Sequence, residues 1–143
     1  MGLKSGLRKT YTATALLLAA VVSARASSLD LATVERIEKS VQLPAHSRPV
    51  DGYDRYYAPD TVSGRKVIVG LYLATDIADE RERYREGNRD YWKGGPPRKG
   101  QRHLLLNASL LPDGIDDGGC EEIHVYWDVS NAKIAGIFCN GPA

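Results

Sequence analysis

The feature that most constrains the fold is the position of the only two cysteines of the chain, Cys120 and Cys139. They bracket two runs, 121–128 and 133–139, in which apolar residues alternate with polar or small ones, as expected for half-buried β-strands. Asp-Val-Ser-Asn at 128–131 lies between the runs and has good turn chemistry. The C-terminal part of the chain is therefore predicted to be an antiparallel hairpin with one cysteine on each strand.

A register symmetric about this turn places Cys120 opposite Cys139 and Ile123 opposite Gly136. Paired Cα atoms of antiparallel strands lie ~4.5–5.5 Å apart, which is within the span of a disulfide. A redox pair or a zinc site would normally use two cysteines separated by two residues, and that spacing is absent from the sequence. We therefore predict a structural disulfide at the open end of the hairpin.

The N-terminus has the layout of a secretory signal peptide. A cationic leader at residues 4–9 precedes the apolar run 15–22, and Ala-Arg-Ala at 24–26 suits a signal peptidase. We predict cleavage after Ala26, with cleavage after Ala24 as the alternative. The apolar run is shorter than the ~20 residues needed to cross a bilayer, so a transmembrane anchor is disfavoured. The prediction is a periplasmic or secreted protein without a membrane span after cleavage, in a compartment where disulfides persist.

Removal of residues 1–26 takes away four basic residues and no acidic one, which changes the net charge from +1 to −3. A mildly acidic chain has no electrostatic attraction for phosphates, so nucleic acid is not expected as a partner. The remaining residues, 27–143, have the length of a single domain. Nothing in the composition predicts its oligomeric state.

An amphipathic helix is predicted over residues 28–42, with Ser27 or Ser28 as its N-cap and Pro44 beyond its end. Its apolar stripe consists of Leu31, Val34, Ile37 and Val41. Further strands are predicted at 53–58, 65–74 and 101–111. The predicted fold class is α+β, with the helix packed on a four- to five-stranded antiparallel sheet, similar in architecture to cystatins. The cystatin inhibitory motif Gln-x-Val-x-Gly is absent, so the likeness concerns architecture alone.

Residues 76–100 interrupt the strand pattern. They contain six acidic and seven basic residues and include Gly-Gly-Pro-Pro, a composition typical of a solvated excursion. We predict a charged, mobile insertion with one short helix around 79–86.

Three short motifs carry a resemblance to other proteins: Tyr-x-x-Tyr-Tyr-Ala at 53–58, Gly-Gly-Cys at 118–120 and Cys-Asn-Gly at 139–141. In these motifs the chain resembles small exported proteins of proteobacteria, over residues 53–74 and 118–141. No activity carries over from the resemblance, and its motifs are expected to be markers of the fold.

Tyr72, His124 and Tyr126 are the predicted ligand-binding residues. They are expected on the sheet face opposite the helix, since a half-apolar surface with tyrosines suits a sugar, a peptide or another protein. The helix is then expected to cover the other face, which bears Val67, Val69, Leu71, Ile123, Val125 and Trp127. The alternative is that the insertion folds back and covers the tyrosine-bearing face as a second, minor core.

No catalytic residue, metal site or cofactor is predicted. His46, His103 and His124 lack the spacing of metal ligands, and no GxSxG nucleophile motif is present. We therefore expect a non-catalytic interaction module that binds a protein or a cell-envelope glycan. One alternative is a small envelope enzyme that uses His124 with Tyr126, Asp128 or His103. Another is a structural envelope protein.

Overall fold

The described residues form two helices and one five-stranded sheet. The computed structural model describes residues 29–90, 93, 95 and 97–141. The predicted signal peptide, its cleavage site and the predicted caps Ser27 and Ser28 lie outside the described residues, as do Tyr91 and Trp92. The elements are α1 (Leu31–Ser40), β1 (Tyr53–Val62), β2 (Arg65–Ala74), α2 (Thr75–Arg85), β3 (Arg102–Leu104), β4 (Gly119–Asp128) and β5 (Lys133–Asn140), with short 3-10 helices at Val50–Gly52 and Ala108–Leu110.

The strand order in the sheet is β3-β1-β2-β4-β5. Every pairing is antiparallel except that of β3 with β1, which is parallel. The α+β class with an N-terminal helix on the sheet is confirmed, whereas a purely antiparallel sheet is wrong. The chain leaves β2 through α2, passes over β1 and pairs with its far edge as β3. Strand β3 runs opposite to β2, and because β1 is also antiparallel to β2, β3 and β1 are parallel.

The third predicted strand, 101–111, contains only three strand residues. After β3, Leu105 N–H still donates to Tyr57 O over 2.8 Å. The Asn107 side chain then accepts from Ser109 N–H and starts the 3-10 helix. Side-chain capping by asparagine competes with the strand ladder, which ends β3 early.

Asp30 is the N-cap of helix α1, and its carboxylate accepts from Thr33 N–H over 2.7 Å. Val34 and Ile37 are buried, whereas Leu31 is 58% exposed. The predicted stripe therefore contributes two fully buried residues, and Asp30 has the N-cap role predicted for a serine.

Helix α1 covers a sheet face whose residues differ from the predicted set. Tyr72 pairs with Ile123 and Gly70 with Val125, so the even-numbered residues of β2 share a face with the odd-numbered residues of β4. A Cβ at Gly70 would lie 3.2 Å from Cβ of Val125 and 3.4 Å from a ring carbon of Tyr57, so the glycine leaves room for both side chains on the helix side. The core on this face consists of Val34, Ile37, Tyr53, Tyr57, Ile68, Tyr72, Ala74, Ile123, Val125 and Trp127.

The opposite face is covered over only part of its width. Helix α2 contacts β1 and β2, and the 3-10 helix Ala108–Leu110 contacts β1. These segments lie over the β1–β2 half, where Val69, Leu71 and Leu73 are buried. On the β4–β5 half of this face, Phe138 remains 49% exposed. The insertion therefore covers part of this face, as the alternative prediction proposed, and leaves the face of β4 and β5 open.

The predicted disulfide between Cys120 and Cys139 is confirmed, with the two Cα atoms 4.6 Å apart. The predicted register is wrong, because Ile123 pairs with Cys139 and Val125 with Ile137. Residues 120–122 form a bulge between the pairs Gly119–Asn140 and Ile123–Cys139. The shift begins at the turn, where Asp128 pairs with Lys133 and not with Asn131, and a second irregularity between Tyr126 and Trp127 adds one more residue. The bulge at 120–122 then restores the predicted pairing at Gly119 and Asn140.

Candidate functional site

The structure separates the three residues predicted to bind a ligand. Tyr72 lies on the helix-covered face and is fully buried, whereas His124 and Tyr126 lie on the opposite face. The expectation that Tyr72 shares a surface with them is wrong. Its hydroxyl is 2.8 Å from that of Tyr57, inside the core.

Tyr72 belongs to a buried polar network that fastens α1 to the sheet. Tyr57 donates from its hydroxyl to Glu38 Oε1 over 3.0 Å. Arg102 donates to both oxygens of the same carboxylate, and Arg55 Nε lies 3.3 Å from it. Burial raises the pKa of Tyr72 to about 12 and raises that of Tyr57 still further. The role of this network is structural.

His124 and Tyr126 form an aromatic cluster with Phe138, a residue that the sequence reasoning did not select. The ring of Phe138 stacks on His124 with centroids 5.3 Å apart, and on Tyr126 with centroids 5.8 Å apart. The ring planes differ by 14° and 17°. Adjacent strands β4 and β5 place these side chains on one face, so the pairs are cross-strand contacts of the kind that stabilise sheets.

A buried carboxylate orients His124. Glu122 is 1% exposed, and its Oε1 lies 2.8 Å from His124 Nε2. Its other oxygen accepts from Ile115 N–H over 2.5 Å. The two residues are neighbours on the same face of β4, two positions apart in the strand. The hydrogen bond to Glu122 thus fixes the orientation of the His124 imidazole in the aromatic cluster.

An open groove of about 570 Å³ runs beside the cluster. Tyr126 and Phe138 form its aromatic side, and Arg65 and Asp128 supply charged groups. No atom of a described residue beyond its chain neighbours lies within 4 Å of the position that a Cβ of Gly136 would occupy. This glycine, opposite Tyr126, therefore keeps the groove open next to the ring.

The residues named for the alternative enzyme do not all converge. His103 lies on β3 and His124 on β4, with two strands between them, which corresponds to roughly 14 Å at ~4.8 Å per strand. The carboxylate of Asp128 accepts from the side chain of Asn131 and from backbone N–H groups of the turn. These hydrogen bonds, led by that of Asn131, hold the pKa of Asp128 below its ordinary value.

Phe138 and Gly136 could have been found from the alternation of β5, because both fall on the same face as His124 once the strand pairing is known. In the predicted register Ile123 pairs with Gly136, and Phe138 does not lie beside His124. Of the three predicted ligand-binding residues, His124 and Tyr126 lie on one face. The observed register of β5 places Phe138 beside them.

Within the described ranges, no cluster of three or more histidine, cysteine, aspartate or glutamate side chains has an arrangement that could bind a metal ion. No helix in that part of the chain is both long and apolar enough to span a bilayer. The chain matches no protein-family model, no curated protein and no solved structure.

Proposed function

We propose that the protein is an exported, non-catalytic binding module that holds a cell-envelope glycan on the aromatic cluster of His124, Tyr126 and Phe138. The observation that carries the proposal is Phe138, half exposed and stacked on two rings beside an open groove. Large aromatic side chains that stay exposed on a sheet are typical of binding surfaces.

The chemistry of the groove suits a sugar better than an apolar peptide side chain. The C–H face of a sugar ring is weakly positive and is attracted to the negative face of an aromatic ring. Arg65 and Asp128 line the same groove and offer a donor and an acceptor for hydroxyl groups. A surface that combines stacking with both hydrogen-bonding signs is typical of carbohydrate recognition.

Export is the second part of the proposal. A disulfide between Cys120 and Cys139 suits an oxidising compartment, and the leader predicted at residues 1–26 would direct the chain there. In the periplasm, the glycan of the envelope is one polymer that an aromatic binding surface can meet.

Co-sedimentation with purified peptidoglycan tests the proposal, supported by titration with a soluble oligomer of N-acetylglucosamine. We expect Phe138→Ala to weaken binding about two- to tenfold, since one stacked ring contributes about 0.5–1.5 kcal/mol. Gly136→Leu should have a similar effect by filling the groove, because the space at its Cβ is open and the fold can accept the side chain. Leu106→Ala is the matched control, since Leu106 is 85% exposed and outside the groove.

The proposal fails if the unaltered protein stays in the supernatant, or if Phe138→Ala and Gly136→Leu bind as well as the control. Preferential capture of a peptide over the glycan at the same groove would identify a protein-binding module instead.

The alternative envelope enzyme is favoured by one observation, the Glu122–His124 pair, because a buried carboxylate that orients an imidazole is a common arrangement for a general base. It predicts that soluble fragments are released from the glycan, and that His124→Gln stops the release. Binding without fragment release excludes this alternative.

A further inference from the structure

Strand β5 forms an open edge of the sheet, since within the part of the chain that the structure describes it has β4 as a neighbour on one side only. Alternate N–H and C=O groups of an edge strand point away from the sheet and can pair with another strand. Proteins usually protect such an edge with a charged residue or a proline inside the strand, or by making the strand very short. The opposite edge strand, β3, has only three residues. In β5 the residues from Ile134 to Asn140 include no charged residue and no proline, so its edge lacks this protection.

An exposed apolar side chain borders this edge on each face of the sheet. On one face, Phe138 of β5 is 49% exposed. On the other face, α1 contacts β5, whereas Glu38 near the end of the helix bonds to Tyr57 on β1 and Arg102 on β3. The helix therefore crosses the sheet with its first turn near β5. Leu31 in that turn is 58% exposed. A strand added to this edge would bury apolar surface on both faces.

The edge of β5 is complementary to itself under a two-fold rotation. In such a pair the two β5 strands run antiparallel, and each residue contact occurs twice. A pairing centred on Ile137 lies in the part of the strand that follows the irregularity at Ala135. It places Gly136 of each copy opposite Phe138 of the other. No described atom beyond the chain neighbours of Gly136 lies within 4 Å of the position that its Cβ would occupy, so the glycine leaves space for the opposing ring.

Opposite charges meet in the same register. Lys133 begins β5 and therefore comes next to residues 140–141 at the end of the strand in the other copy. A Cβ on Gly141 would lie 3.4 Å from Oδ1 of Asp117, so Asp117 stands beside that end. Lys133 and Asp117 are both exposed, and neither forms a salt bridge with another described residue. The two-fold axis brings this attraction into the contact twice, and charge complementarity of this kind fixes the register of an interface.

We propose that the protein forms a two-fold symmetric homodimer through the outer edge of β5, with the backbone pairing centred on Ile137 and Lys133 of each copy beside Asp117 of the other. The dimer joins both five-stranded sheets into one continuous sheet, and it places the two aromatic clusters on the same face. The proposal does not depend on the glycan.

Sedimentation velocity of the purified protein without glycan tests the dimer. We expect a monomer–dimer equilibrium with a Kd of about 10–100 µM, because pairing of two short strands lies at the small end of specific interfaces. Amide hydrogen exchange measured by NMR locates the contact. The outward-pointing amides of β5 should exchange more slowly as the protein concentration rises through the Kd. A single monomeric species at about five times the upper Kd, or a dimer in which these amides stay unprotected, would overturn the proposal.

Charge reversal tests the register. Lys133→Glu should weaken the dimer about tenfold, since it turns two attractions into two repulsions. Combination of Lys133→Glu with Asp117→Lys restores the attraction, and the Kd should return to within about threefold of the unaltered protein. Lys99→Glu is the matched control, because this side chain is 88% exposed and outside β5. An unchanged Kd in Lys133→Glu, an equal loss in the control, or no recovery in the double variant would each contradict the assignment.

Gly136→Lys tests the centre of the contact without altering either charged residue. The fold can accept this side chain because the space at the Cβ is open, and an unchanged urea midpoint checks that it does. The lysine would then lie opposite Phe138 of the other copy and opposes strand pairing as a charged residue on an edge does. We expect the dimer to weaken at least about tenfold. A dimer that persists unchanged in a folded Gly136→Lys protein would show that the copies meet elsewhere.

Discussion

Replacement of Glu38 by glutamine is expected to destabilise the fold strongly, although the two side chains have nearly the same shape. The Glu38 carboxylate is 10% exposed and lies 3.3 Å from Nε of Arg55, whose side chain is 8% exposed. Glutamine removes the negative charge and leaves the guanidinium buried without its counter-charge. Arg55 is then compensated only by the backbone oxygens of Val50 and Gly100, to which it already donates.

The magnitude follows from the exposure of each partner. Loss of one member of a buried ion pair costs about 3–5 kcal/mol, and the two backbone acceptors of Arg55 place this case at the lower end. Arg102 adds up to about 1 kcal/mol, because its side chain is 37% exposed. The glutamine oxygen still accepts from the Tyr57 hydroxyl, so that hydrogen bond is retained. The total is about 3–4 kcal/mol, a large part of the 5–15 kcal/mol typical of a domain.

Urea denaturation followed by tryptophan fluorescence measures this loss. With a denaturant slope of about 1.5–2 kcal/mol per molar, the midpoint should fall by about 2 M. Glu35→Gln on the exposed side of the same helix is the matched control and should change the unfolding free energy by less than about 0.5 kcal/mol. A loss below about 1 kcal/mol for Glu38→Gln, or a loss equal to that of the control, would refute the role assigned to the network.

Two further predictions concern the staple and the buried tyrosines. Reduction of the Cys120–Cys139 disulfide, which links residues separated by 19 positions, should lower the unfolding free energy by about 3 kcal/mol through the entropy of the unfolded chain; an unchanged urea midpoint with and without reductant would contradict this. Tyr57 and Tyr72 keep their protons to higher pH in the folded state than in the unfolded state, where the pKa is about 10. Their contribution to stability is therefore complete below about pH 10. Above about pH 10 the unfolding free energy falls by up to about 1.4 kcal/mol per tyrosine for each pH unit. For Tyr72 this loss continues until the pH reaches its folded pKa of about 12. Urea midpoints at about pH 9, 10 and 11 should fall accordingly and fall less steeply in Tyr72→Phe, whereas parallel curves for the two proteins would count against the assignment.

Local patterns in the sequence were sufficient for the N-terminal helix, for four of the five strands and for the staple. The alternation around Cys120 and Cys139 predicts two adjacent strands, and adjacency brings the sulfur atoms within bonding distance even though the exact pairing differs. The stripe on α1 predicts a helix with one buried side in the same way. These predictions succeed because each depends on residues that are near each other in the chain or joined by one short turn.

Only the tertiary structure decided which faces meet and where the sites lie. Strand β2 is apolar on both faces. Its sequence therefore predicts a strand but does not show which of its faces lies on the same side of the sheet as the apolar face of β4. The pairing of Tyr72 with Ile123 places Tyr72 in the core, and the shifted register of β4 and β5 places Phe138 opposite His124. Such long-range packing is the sum of many contacts between distant residues, and no short stretch of sequence contains it.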